Sequence, residues 1–162
     1  MIKKAKEFAL KAHDQQRYGD KPYIVHLKAV VNHLECYGET AQVVGYLHDV
    51  VEDTEVSYNE LKELFGKFIA DCVAIVTDEL GSNRKERKKK TYKKMAKVSG
   101  DLALALTVKA ADRLANIQAC IAGNNNDLLD VYKKEHPNFQ RSVYRENLCE
   151  EIWQKIEASL NA

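Results

Sequence analysis

The sequence predicts an all-α fold of about eight to ten helices, and two observations carry that reading. Only 7 Gly and 2 Pro punctuate the 162 residues, which leaves few breaks and short loops. Apolar residues recur at intervals of three and four almost everywhere, the period of an amphipathic helix and not of a strand. The length suits a single domain over residues 1–162, large enough to bury a proper core.

The elements follow in order. Residues 2–14 form a first helix with Ile2, Ala5, Phe8, Ala9 and Ala12 as its inner stripe. Asp20, Lys21 and Pro22 mark a turn, and Pro22 suits the start of a second helix that runs to Tyr37 and is closed by Gly38. A third helix begins near Thr40 and carries HDVVEDT, His48 to Thr54, at its C-terminal end. Ser57 with Glu60 reads as a capping box for a fourth helix ended by Gly66. A fifth runs to about Leu80, where Gly81, Ser82 and Asn83 break it. Residues 84–97, RKERKKKTYKKMAK, are the one basic run. As a solvated helix face it needs no further role; turned toward a site, it would draw in a polyanion. Residues 101–122 form a mostly apolar helix interrupted by Lys109, Asp112, Arg113 and Asn116, so those polar groups require partners inside the fold. After a turn at 123–127 come a short helix through Tyr132 and a final one from about Phe139 to Leu160.

Composition excludes several classes. Lys plus Arg (25) nearly balances Asp plus Glu (24), and a net charge of +1 gives no bulk attraction to nucleic acid or membrane. No apolar run approaches the roughly 20 residues of a membrane span, so a soluble, cytoplasmic chain is expected. Cys36, Cys72, Cys120 and Cys149 are widely spaced with no CxxC pair, which argues for reduced thiols and against a zinc ribbon or disulfide framework.

The chemistry concentrates in HDVVEDT. In a continuous helix His48 and Glu52, and likewise Asp49 and Asp53, stand four residues apart and would project from one flank. Carboxylates crowded in that way need a cation to stay charged and folded. His26 upstream and Asp112 on the apolar helix complete a plausible ligand set with His48 and Asp49. Two imidazoles and two carboxylates suit Mn²⁺, Fe²⁺ or Zn²⁺ better than Ca²⁺. Taken singly, His26 reads more readily as a satisfied core histidine, and Asp112 as the ion-pair partner of Arg113 or Lys109. His13, His33 and His136 lack comparable support and read as surface or structural residues.

The H…HD…D order of these residues resembles the HD metal-dependent phosphohydrolases. More specifically, AHDQQRYGDKPYIVH, HDVVEDT and VKAADRLANI are similar to three signature blocks of the hydrolase domain in RelA/SpoT-type alarmone enzymes, over roughly residues 8–120. The resemblance, to the small alarmone hydrolases, implies an HD-type helical bundle, Mn²⁺ as cofactor and removal of the 3′-pyrophosphate from (p)ppGpp. It makes His26, His48, Asp49 and Asp112 the metal ligands. Glu52 and Asp53 go to the reacting water, Glu52 as general base and Asp53 assisting. Asn116 goes to the ribose, and Arg17 lies against the base. Lys109 and Arg113 are nearest in sequence to meet phosphate charge, with Lys21 and the basic run as outer help and Arg141, Tyr144 and Arg145 as a possible cover.

The pattern departs from the family at a few positions. Leu27 stands where Pro usually follows the first metal histidine, and Ala111 and Ala115 where Leu and His are common. Tyr18 occupies a position often held by Lys, and a neutral aromatic there stacks on any purine. The expected ligand is therefore a guanosine or adenosine alarmone, with (p)ppApp or NADPH as alternatives to (p)ppGpp on the same chemistry. A general HD-family nucleotide phosphohydrolase is a looser alternative. An RNA-binding module built on residues 84–97 would leave Asp49, Glu52, Asp53 and Asp112 to repel its ligand, so no stable nucleic-acid partner is expected. Exposed apolar helix faces make a homodimer unsurprising.

Overall fold

The computed structural model describes all residues 1–162 and is all-α apart from one minimal hairpin. The first half of the chain runs α1 (Ile2–His13), β1 (Arg17–Tyr18), β2 (Lys21–Pro22), α2 (Ile24–Asn32), α3 (Glu39–Leu47) and α4 (Val50–Asp53). It continues with α5 (Tyr58–Phe65), α6 (Lys67–Val76), α7 (Arg84–Ala96), α8 (Leu104–Ala122), α9 (Asn126–Val143) and α10 (Glu150–Leu160). Short 3-10 turns at Glu35–Tyr37 and Gly100–Ala103 lead into α3 and α8.

Helix α8 is the axis of the bundle. Its sequence is apolar on nearly every side, so it is stable only when surrounded, and α2, α3, α6, α9 and α10 all pack on it. Leu106, Val108, Ala110, Leu114 and Ile117 are fully buried along it, and Lys109, Asp112 and Arg113 are buried with them. Ser57 caps α5 as expected, its hydroxyl accepting from the Glu60 N–H at 3.2 Å. Asn83 does the same for α7, accepting from Glu86 N–H at 2.8 Å. All four cysteines are free thiols, with Cys36 exposed and the other three buried. No helix is long and apolar enough to cross a membrane.

Several boundaries differ from the sequence expectation, most of them where a tight turn or a remote partner overrides the local pattern. Residues 17–22 form a hairpin, pairing Arg17 with Pro22 and Tyr18 with Lys21, so Pro22 lies in a strand and α2 starts only at Ile24. Gly19, at φ +61°, supplies the positive φ that a two-residue hairpin loop needs at its first position. The second helix ends at Asn32, before a separate 3-10 turn, and α6 ends at Val76, because the backbone at Asp78 and Glu79 donates to side chains of other elements. Conversely, α9 runs unbroken through Pro137, held on both sides by buried Tyr132, Phe139 and Val143. The break comes instead at 144–149. There Arg145 donates to the carbonyls of Met95 and Val98 at the end of α7 (3.0 and 3.2 Å) and Tyr144 donates to Glu150 at 2.7 Å, which makes both residues fastenings rather than a cover for a ligand.

Close approach of α3 to α2 depends on Gly45. A Cβ there would lie 2.7 Å from Leu34 Cδ1 and 3.1 Å from Val31 Cγ2, in a fully packed region. Gly45→Ala is therefore expected to cost about 1–3 kcal/mol through overpacking. That corresponds to a fall in Tm of roughly 2–12 °C for a chain of this size. Differential scanning calorimetry checks this, and an unchanged Tm would contradict the tight α2–α3 contact.

Candidate active site

Three parts of the chain bring polar side chains together beside the middle of α8. His26 stands on the first turn of α2, His48 and Asp49 lie between α3 and α4, and Asp112 projects from the middle of α8. α3 passes into α4 through a turn at His48 and Asp49 whose backbone stays in the right-handed helical region, and His48 Nε2 lies 3.0 Å from Asp49 Oδ2. Glu52 and Asp53 line one cavity with Asp49. Glu52 accepts from the Asp78 N–H at 2.7 Å on one side, and Asp53 accepts from Gln16 Nε2 at 3.0 Å on the other.

Ligand-capable atoms of His26, His48 and Asp49 lie within 4.8 Å of one another. Asp112 Oδ1 joins them, 3.2 Å from His26 Nε2 and 3.5 Å from His48 Nε2. The Gly45 carbonyl can only accept, so His48 Nδ1 carries the proton of their 2.6 Å hydrogen bond. In the neutral ring this leaves the Nε2 lone pair facing the two carboxylates, the orientation a metal ligand requires. Burial opposes charge on His48, yet Asp49 and Asp112 outweigh it and hold its pKa well above the ordinary value. Burial likewise works against the Asp49 carboxylate, and the imidazoles of His48 and His26 overcome it and hold its pKa low. The Asp112 carboxyl is held low by Lys109 and both imidazoles, although burial works against its charge too. A set that attracts positive charge this strongly, with N and O donors converging, fits a divalent cation of the Mn²⁺, Fe²⁺ or Zn²⁺ type.

The surrounding cavity is about 160 Å³ and balances four carboxylates (Asp49, Glu52, Asp53, Asp112) against four cations (Arg84, Lys88, Lys109, Arg113). Lys109 Nζ contacts Asp112 Oδ2 at 3.3 Å. Its pKa is raised because Asp112, Asp78 and Glu52 together outweigh the burial that would lower it. Arg113 Nη2 reaches Glu135 at 3.2 Å and the Tyr92 hydroxyl at 3.0 Å, while its Nη1 is buried without a protein partner and remains a donor for an anion. Partial burial raises the pKa of Glu52; the Asp78 N–H opposes that rise, and the charges of Asp78 and Asp49 reinforce it.

A second cavity of about 520 Å³ shares His26, Asn116 and Tyr132 with the first and is lined largely by small and apolar residues, among them Ala29, Ala115 and Ala119. Tyr18 and Asn116 stand between the two. The Tyr18 ring stacks on His26 (4.7 Å, 16°), its hydroxyl donates to Asn116 Oδ1, and Asn116 Nδ2 donates to Asp112 Oδ1 at 2.8 Å. Arg17 is exposed, donates to the Asp20 carbonyl within its own hairpin, and lines neither cavity.

Sequence reasoning missed the residues that act through others. Tyr23 donates its hydroxyl to Asp49 and packs against the His13 ring, tilted 33° with centroids 4.5 Å apart. His13 is hydrogen-bonded to Gln16 at 2.8 Å, so one short chain of contacts holds both Asp49 and Asp53. Asp78 ties Glu52 through its backbone and Lys88 through its carboxylate at 2.8 Å. Only the PYI segment beside His26 hinted at Tyr23; Asp78 and Glu135 carried no signal, since their partners are remote in sequence.

Comparison with known proteins agrees with this geometry. The HD domain model matches residues 5–136. Among curated relatives, the guanosine-3′,5′-bis(diphosphate) 3′-pyrophosphohydrolase of Drosophila melanogaster is 34% identical over 119 residues, covering 69% of this chain and 65% of that protein. The enzyme of the same name from Aquifex aeolicus is 32% identical over 120 residues, and the chain spans only 17% of its length. The solved structure of a metazoan SpoT ortholog that hydrolyses ppGpp superposes with a TM-score of 0.73 at 26% identity, covering 98% of this chain and 96% of that one. The chain belongs to the HD domain family, with the ppGpp pyrophosphohydrolases of animals and bacteria as its homologues.

Proposed function

We propose that the protein is a Mn²⁺-dependent (p)ppGpp 3′-pyrophosphohydrolase that releases pyrophosphate and leaves GDP or GTP. The observation that carries this reading is the convergence of His26, His48, Asp49 and Asp112 beside Glu52, in a small cavity that adjoins a larger, mostly apolar one. The small cavity suits an ion, a water and one phosphate group; the larger one is within the range of nucleoside-sized sites.

His26, His48, Asp49 and Asp112 would hold the ion. When bound, it supplies Lewis acidity, lowering the pKa of water and neutralising phosphate charge. Glu52 takes the proton of the water that attacks the phosphorus bonded to O3′. Its raised pKa makes it a stronger base than an ordinary carboxylate, and the Asp78 N–H on Oε1 fixes its orientation. Asp53, anchored by Gln16, holds that water from the other side. The P–O3′ bond then breaks, and the ribose oxygen leaves with the proton that Glu52 took from the water. Charge on the phosphoryl oxygens is met by the free nitrogen of Arg113 and by Lys109. Asn116 orients the ribose, and the purine lies in the cavity beside Tyr18, with Arg17 reaching it once released from the hairpin carbonyl.

The largely apolar lining of that second cavity favours a purine held by packing over one read at its edges. Adenosine alarmones such as (p)ppApp, or the 2′-phosphate of NADPH, are the second reading for the same centre.

Two outcomes are expected. With Mn²⁺ and ppGpp, ion chromatography should resolve free pyrophosphate, and Glu52→Gln should lower kcat by roughly 10²–10⁴-fold; orthophosphate alone, or no turnover of ppGpp, ppApp or NADPH, would exclude the reading. In thermal melts, Mn²⁺ at about a hundredfold over its Kd should add about 2.7 kcal/mol relative to EDTA. The resulting Tm increase, roughly 5–10 °C, should vanish in His48→Gln. A shift retained by that variant would place the ion elsewhere.

A further inference from the structure

The most concentrated positive charge on the molecule lies outside the catalytic cavity. A groove of about 720 Å³ between α7 and α9 is lined by Arg84, Lys85, Lys88, Lys89, Lys93 and Arg141. Glu135 is the only carboxylate lining it, and it is already engaged by Arg84 Nε at 2.7 Å and Arg113 Nη2 at 3.2 Å. Lys88 is paired with Asp78 at 2.8 Å. Lys85, Lys89 and Lys93, stacked at four-residue intervals, and Arg141 opposite them on α9 have no acidic partner.

The other side of α7 is arranged differently. Lys90 pairs with Glu86 at 3.1 Å and donates to the Leu80 carbonyl at 3.0 Å. Lys94 pairs with Glu79 at 3.0 Å and donates to the carbonyls of Ala74 and Thr77 at 2.8 and 2.7 Å. The helix thus sorts its cations, stitching one set into the fold and leaving the other uncompensated around a concavity. Like charges four residues apart weaken a helix, so a solvated face alone gives no reason to align three of them there.

We propose that this groove is a metal-independent binding site for linear oligophosphate anions. It adjoins the catalytic cavity, and Arg84 and Lys88 line both. The apolar cavity adjoins the catalytic one at His26, Asn116 and Tyr132, residues distinct from those two. A phosphate chain that begins on a ribose in the apolar cavity and passes the metal ligands is therefore directed toward the side on which the groove lies. Its direction rests on the proposed reaction; its affinity for oligophosphate does not. The volume matches a small-ligand site, and the neighbouring carboxylates of the catalytic cavity would repel a long nucleic acid entering from this end.

The test is isothermal titration of the full chain in EDTA with pyrophosphate and tripolyphosphate. The comparison is the quadruple variant Lys85→Ala, Lys89→Ala, Lys93→Ala, Arg141→Ala, whose fold is checked by circular dichroism and thermal melting. The wild type should bind one tripolyphosphate, more tightly than pyrophosphate and more weakly as salt rises, and the quadruple variant should bind it roughly tenfold or more weakly. His48→Gln should retain wild-type affinity, which separates the groove from the metal centre. If ppGpp is not hydrolysed and tripolyphosphate still binds in this pattern, the groove stands without the proposed reaction. Absence of binding in EDTA, equal affinity in the quadruple variant, or loss in His48→Gln would each overturn the proposal. So would tighter binding of an oligouridylate through the same four residues, which would assign the groove to RNA.

Discussion

Two carboxylates and two imidazoles turned on one another at the edge of the core are the constraint that the rest of this fold accommodates. Asp49 and Asp112 sit 3.0–3.6 Å from the ring nitrogens of His26 and His48. Left without positive charge, such a group would either protonate or separate. Each supporting feature is a way of keeping it together. Gly45 lets α3 press against α2 and lends its carbonyl to His48; the Tyr23 hydroxyl holds Asp49; α8, packed by five other helices, fixes Asp112 at a depth where Lys109 and Asn116 can reach it.

Around that centre the polar contacts run outward in chains rather than ending at single residues. Tyr23 and His13 hold Asp49 from the α1 side, and Gln16 carries the same chain to Asp53. On the opposite side Asp78 joins Glu52 to Lys88, while Glu135 gathers Arg84, Arg113 and Tyr92. Ordered acids and bases of this kind depend on partners that themselves cannot rotate freely, which is how a helical scaffold achieves orientation without a rigid sheet beneath it.

Much of this was legible in the amino-acid sequence where the signal is local. The all-α class followed from the period of apolar residues, the start of α5 from Ser57 and Glu60, and the burial of α8 from its apolar faces. His26, His48, Asp49 and Asp112 stood out because buried charge on three helices needs a common explanation. The misjudged boundaries are those where remote partners override local preference. Asp78 leaves α6 early because Glu52 claims its N–H, and α9 passes through Pro137 because Tyr132, Phe139 and Val143 are anchored on either side of it. HDVVEDT divides into a turn at His48 and Asp49 followed by α4, and its Asp49, Glu52 and Asp53 still line one cavity. Tyr23, Gln16 and Glu135 were invisible for want of any local pattern.

The last helices carry a consequence for where this folding unit ends. The HD match stops at residue 136, in the middle of α9, yet Phe139, Val143, Ile152, Trp153 and Ile156 are buried beyond it, and α10 packs on the rear of the helix that bears Asp112. Trimming a protein to the span recognised by family resemblance would here strip the backing from α8 and let the residue that faces His26 drift. The stretch most distinctive of the family therefore depends on a stretch lying outside it.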